Sequence, residues 1–93
     1  MIQSFADKPT ESLWFGRRPP ELPPVIHKTA LKKLTQLHGA SALDELRIPP
    51  GNRLEPLKGN RIGQHSIRVN DQYRVCFRWD AQSAHDVEIT DYH

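Results

Sequence analysis

From Gly63 to His93 the side chains alternate between apolar and polar with a period of two, a pattern that suits pleated strands and not helices. His65, Ile67 and Val69 alternate with Ser66 and Arg68. Tyr73, Val75, Phe77 and Trp79 alternate with Arg74, Cys76 and Arg78, and Val87 and Ile89 with Glu88 and Thr90. Asn70-Asp71-Gln72 and the stretch from Asp80 to Ala84 have turn chemistry. Three strands with connections this short form an antiparallel meander. Its last residues, Asp91-Tyr92-His93, set a carboxylate, a phenol and an imidazole at the free end of a strand.

The chain before the meander follows a helical period. Ile26, Ala30, Leu34 and Leu37, widened by Leu31, form one apolar stripe over Val25 to His38. Pro24 suits the first turn of that helix and Gly39 its end. Thr10 to Phe15 reads as a short helix stopped at Gly16, and Ser41 to Leu46 as another, capped by Ser41. Met1 to Phe5 alternates weakly, as a short strand would. Between the first two helices, Arg17 to Pro24 holds four prolines and reads as a stiff connector. Helices followed by a meander predict an α+β layer, with the helices on one face of the sheet and the other face partly open. Trp14, Phe15, Phe77 and Trp79 are expected in the core.

Composition narrows the class. Ninety-three residues suit one domain, 37% hydrophobic and 26% charged, with no apolar run long enough to span a membrane. The N-terminal residues lack the basic start and apolar core of a signal peptide. One cysteine, Cys76, forms no internal disulfide, which fits a reducing cytoplasm. A net charge of +2 permits nucleic-acid binding without requiring it. The distribution of charge is more telling. Arg53, Lys58, Arg61, Arg68, Arg74 and Arg78 crowd the second half.

If Tyr73, Val75, Phe77 and Trp79 face the helices, Arg74, Cys76 and Arg78 face away from them. Arg74 and Arg78 then either bind an anion on the open face or pair with Glu88 and Asp86 on the next strand. Cys76 reads as a buried structural thiol, since nothing local supplies a base to activate it. His27, His38, His65 and His85 read as surface or capping residues. None has a second ligand at metal spacing, so neither a metal nor another cofactor is expected.

The residues Pro50-Gly51-Asn52-Arg53-Leu54-Glu55-Pro56-Leu57-Lys58-Gly59-Asn60-Arg61, followed by Ser66 to Phe77 and the terminal Asp91-Tyr92-His93, resemble the HigB branch of the RelE/ParE toxins. The resemblance implies a RelE-like fold, a small antiparallel sheet with two N-terminal helices on one face. It implies the toxin of a two-gene system, an endoribonuclease that cleaves messenger RNA in the ribosomal A site. It also implies a HigA-like helix-turn-helix antitoxin as partner, through which alone the toxin reaches operator DNA. Asp91, Tyr92 and His93 match the family's C-terminal catalytic group, and Lys58 and Arg74 its basic active-site positions. Some members have a histidine just before the Pro-Leu-Lys-Gly stretch; here Glu55 stands there.

Metal-independent RNA cleavage needs a base for the 2′-OH, an acid for the leaving 5′-oxygen and cations for the charge developing on phosphate. Asp91 or Glu55 is the candidate base and His93 the candidate acid, with the roles of His93 exchangeable because imidazole titrates near neutrality. Lys58 and Arg74 are the candidate stabilisers, Tyr92 stacks on a base or positions the phosphate, and Arg61, Arg68 and Arg78 extend the phosphate-binding set. Two other readings fit the same pattern: a ParE-like toxin that inhibits DNA gyrase without nuclease chemistry, and a non-catalytic RNA- or protein-binding module.

Overall fold

Asp7 caps the first helix, which starts at Lys8, two residues earlier than the expected Thr10. In the computed structural model, which describes residues 1–91, its carboxylate accepts the Thr10 N–H at 3.0 Å and caps α1 (Lys8–Trp14). Asp91 is therefore the last described residue, and the expectations for Tyr92 and His93 lie outside the described residues. Helix α2 spans Pro24–Gly39, one residue longer at each end than its stripe predicts, with Ile26, Ala30, Leu34 and Leu37 buried as expected. Ser41 caps nothing with its side chain. The segment after it is a 3-10 turn, Leu43–Arg47, too short to complete α-helical hydrogen bonding before Pro49 and Pro50.

Four strands form one antiparallel sheet in chain order: β1 (Glu55–Pro56), β2 (Gln64–Arg68), β3 (Tyr73–Asp80) and β4 (Ser83–Asp91). The β3–β4 connection is tighter than the loop read from sequence. Asp80 pairs with Ser83, leaving Ala81 and Gln82, both at positive φ, as a two-residue turn. The register shifts between Cys76 and Arg78, opposite Asp86 at φ 54°, so a bulge interrupts the alternation of β4.

One sheet face packs on both helices. Ile67, Val75, Phe77, Val87 and Ile89 meet Leu13, Ile26, Ala30, Leu34 and Leu37 there, with Trp14, Tyr73 and Trp79 partly buried at the margin. Phe15 departs from expectation. It follows the last helical residue and is 65% exposed, with its ring centroid 6.5 Å from that of Phe5 in an edge contact.

The N-terminal segment covers the β4 edge without forming a continuous strand. Ile2 and Phe5 make isolated parallel bridges to Ala84 and Val87. Past them, the fully buried Thr10 hydroxyl accepts the Ile89 N–H at 2.9 Å. Helix and terminal segment thus satisfy edge donors that would otherwise invite another strand. Thr10→Val keeps the shape but orphans that N–H, an expected cost of about 1–3 kcal/mol in urea unfolding, whereas Thr10→Ser retains most of the stability.

Candidate phosphate-binding cleft

The cleft begins at a buried asparagine. Asn52 ends the 3-10 turn Pro50–Asn52 and is fully buried. Its amide donates to the Leu46 carbonyl and to Gln36 Oε1, both at 3.1 Å, and its Oδ1 accepts from Lys33 Nζ at 2.5 Å. One side chain thus ties α2, the Leu43–Arg47 turn and the approach to β1 together. Burial, then Lys32 and Arg68, lower the Lys33 pKa below the usual lysine value.

Arg53 follows directly in the left-handed region, φ 47°, and this turns its carbonyl toward β3. Arg74 Nη2 donates to that carbonyl at 2.7 Å, and Arg74 Nε donates to Ser66 Oγ at 2.7 Å. Glu55 Oε1 lies 3.6 Å from Nη2. The Arg74 side chain is only 14% exposed, so the guanidinium is held from three sides, with no hydrogen bond among the described residues using Nη1. Around it opens a cleft of about 370 Å³, lined by Arg53, Glu55, Arg68 and the Asn70-Asp71-Gln72 turn as well as Arg74. Arg68 pairs with Asp71 at its mouth. Such a concavity presents two further guanidinium groups beside a fixed one, an arrangement suited to a phosphate with a carboxylate nearby.

The other candidates lie at varied distances from this centre. Lys58 is exposed, just ahead of the Gly59–Arg61 turn, and does not line the cleft. Arg61 pairs with Glu88 and also reaches Gln64 Oε1, each at 3.1 Å. Arg78 is paired with Asp86 at 3.4 Å and Asp80 at 3.9 Å, so it and Arg74 do not share an anion site. Asp91 stands opposite Tyr73 while Arg74 stands opposite Thr90, and strand alternation sends Asp91 and Arg74 from opposite faces. Asp91 reaches the cleft wall through Gln72, whose Nε2 donates to Asp91 Oδ2 at 2.9 Å.

Cys76 is fully buried on the face away from the helices, with the Arg61–Glu88 and Arg74–Glu55 pairs around it. Burial pushes its thiol up, and the nearby charges of opposite sign act against one another, so the sulfur is an inert packing group. Two of the four other histidines depart from the surface-or-cap reading. His27 is 8% exposed and bonded to the Leu22 carbonyl at 2.9 Å. His65 is half-buried, stacked 6.4 Å from Phe77, with no partner for Nδ1 among the described residues. His38 does serve as a cap of a kind, its Nδ1 accepting the Ile2 N–H at 3.1 Å.

Burial first, and Arg47 second, hold the His65 pKa below its ordinary value. The unfolded chain then binds the proton more readily than the folded one. Stability from His65 is fully present above about pH 6.5 and is lost as pH falls through the lower folded pKa. Urea unfolding across that window should show the loss in the wild type and a smaller slope in His65→Gln.

Sequence reading alone passed over Ser66 and Asn52. Ser66 counted as one polar member of an alternating strand, and Asn52 only as part of the Pro50–Arg61 stretch. Their signal was weak because a buried hydroxyl or amide is recognised by its partners, which come from distant elements.

A four-stranded antiparallel sheet thus carries two helices on one face and a clamped arginine in a cleft on the other. The chain aligns with one chain of a solved YoeB–YefM complex of Staphylococcus aureus, covering all of this chain and 98% of that one at a TM-score of 0.61 and 18% identity. The family model described as the RelE-like toxin HigB of type II toxin–antitoxin systems matches residues 3–93. Toxin HigB-1 of Vibrio cholerae is 45% identical over 80 residues, 85% of this chain and 84% of that protein. An uncharacterized protein of Haemophilus influenzae is 29% identical over 75 residues, 81% of this chain and 74% of its own. This chain belongs to the HigB family of RelE-like toxins. Among the described residues no helix is long and apolar enough to cross a membrane.

Proposed function

We propose that the chain is a ribosome-dependent endoribonuclease that cleaves messenger RNA in the ribosomal A site and so arrests translation. The observation that carries this reading is the fixed Arg74 guanidinium, held by Ser66 Oγ and the Arg53 carbonyl in a cleft lined by Arg53 and Arg68. Cleavage proceeds by attack of the substrate's 2′-OH on the adjacent phosphorus, with loss of the 5′-oxygen and formation of a 2′,3′-cyclic phosphate. Arg74 stabilises the charge that grows on the phosphate oxygens, since a preorganised donor acts most strongly where charge develops. Glu55, beside Arg74 and half-exposed, supplies a base at the cleft wall, and Asp91 is the second carboxylate within reach of that wall through Gln72. His93 is the acid for the leaving oxygen, Tyr92 stacks on a base, and Lys58 adds charge at the periphery with Arg61 and Arg78.

The partners that follow are the ribosome, its messenger RNA and a HigA-like helix-turn-helix antitoxin, which alone carries the toxin to operator DNA. The site of action is the cytoplasm. Primer extension on a reporter message in a reconstituted translation system tests the reading. Cuts that appear only when the message is translated, with cyclic phosphate at the new 3′ ends, are the expected result. Intact RNA would overturn it, and intact RNA accompanied by gyrase-dependent DNA breaks would favour the ParE-like activity.

A further inference from the structure

A second concavity, of about 350 Å³, lies between the end of α1, the proline-rich connector and the start of α2. Leu13, Leu31 and Pro24 line it with apolar surface, while Arg17, Arg18 and Lys28 are exposed at its margin and no carboxylate among the described residues lines it. It shares no lining residue with the Arg74 cleft. Charge pairing differs sharply between the two regions. Arg61, Arg68, Arg74 and Arg78 each have a carboxylate within the chain; Arg17, Arg18 and Lys28 have none among the described residues.

Two large apolar side chains stand in solvent beside this groove. Phe15, next to Gly16, is 65% exposed, and Val25, next to Pro24, is 86% exposed. In the groove wall His27 donates Nε2–H to the Leu22 carbonyl, and its Nδ1 has no partner among the described residues. Apolar floor, flanking apolar side chains and a margin of one sign together make a protein-binding surface, for an RNA backbone would use the cations and leave the apolar area uncovered.

We infer that this groove docks an acidic segment of a protein partner that also carries apolar side chains, and that the partner is the antitoxin. The inference rests on the toxin reading above. Carboxylates of the segment meet Arg17, Arg18 and Lys28, and its apolar side chains cover Leu13, Leu31, Phe15 and Val25. Because the groove and the Arg74 cleft have no residue in common, disrupting one leaves the chemistry of the other intact.

The test is calorimetric titration of the full chain with the antitoxin encoded beside it. A double variant, Arg17→Glu with Arg18→Glu, is expected to weaken binding by about 10- to 100-fold, with the difference shrinking as salt rises. Lys28→Glu, on the helix rather than the connector, is expected to weaken it in the same direction. These positions are exposed, so thermal unfolding should not move, and RNA cleavage by the free variants should match the wild type. Unchanged antitoxin affinity in both variants overturns the proposal, as does a wild-type chain that binds no antitoxin. Loss of affinity for a single-stranded oligoribonucleotide, with antitoxin binding intact, overturns it in favour of an RNA path. Arg74→Ala separates the two readings: it should lose cleavage and keep full antitoxin affinity. A wild-type chain that binds antitoxin through the groove and cleaves no RNA sustains this inference while removing the nuclease.

Discussion

Arg74→Ala is expected to lower translation-dependent RNA cleavage by about 10²–10³-fold and to relieve growth arrest in cells. The physical reason is preorganisation. Ser66 Oγ, the Arg53 carbonyl and Glu55 hold the guanidinium in place before substrate arrives, so no reorientation is needed when the phosphate becomes more negative. Arg74→Lys should recover little of the activity. A lysine ammonium is a point donor and does not bridge the serine and the carbonyl while presenting a planar fork to phosphate. Ser66→Ala provides the graded control, since it removes one clamp and leaves the charge, and it should reduce turnover less than Arg74→Ala. Cleavage near the wild-type rate in Arg74→Ala would remove this residue from the chemistry, provided the variant's unfolding curve shows it folded.

The largest effect on stability is expected at Asn52. Asn52→Ala removes a buried donation to Leu46 and a part-buried one to Gln36, and strips Lys33 of its acceptor. Losing this set should cost about 2–4 kcal/mol, which for a domain of this size lowers the melting temperature by about 10 °C or more. Asn52→Asp keeps the acceptor for Lys33 but sets an oxygen against the Leu46 carbonyl, so it should fall between the two. Because Arg53 is the next residue and its left-handed turn supplies a carbonyl to Arg74, cleavage should fall in Asn52→Ala even at temperatures where it is folded. Full activity in the folded variant would show that the clamp does not depend on Asn52.

Much of the fold was legible because its signal is periodic. The α2 stripe and the alternation of β2 and β3 each need only the spacing of apolar residues, and all three elements fall within a residue or two of expectation. Elements without periodicity were read less well. Lys8, capped by Asp7, and not Thr10, starts α1, since a cap is decided by one side-chain bond. The segment after Ser41 is a 3-10 turn because nearby prolines leave it no room. Phe15 looks like core by residue type and is exposed, one position beyond the end of its helix.

The candidate site divides in the same way. Arg74 and Glu55 were legible and meet, at 3.6 Å. Arg78 was legible but is taken by Asp86 and Asp80, a choice made by the β3–β4 bulge and turn. Asp91 was legible as a carboxylate at the strand end, yet the register sends it from the face opposite Arg74 and leaves Gln72 as its link to the cleft.

By itself, then, the order of residues determined the antiparallel meander, the apolar face that the helices cover and the arginine-bearing face they leave. Each of these follows from local spacing, since the backbone alternates or turns by a set amount per residue. Only the tertiary structure decided which arginine is held and which are spent on ion pairs. That choice depends on Ser66 in β2, the Arg53 carbonyl after a buried asparagine, and Glu55 in β1 arriving around one strand position. Those groups are 8, 21 and 19 residues from Arg74 in the chain, and nothing in local spacing brings them together.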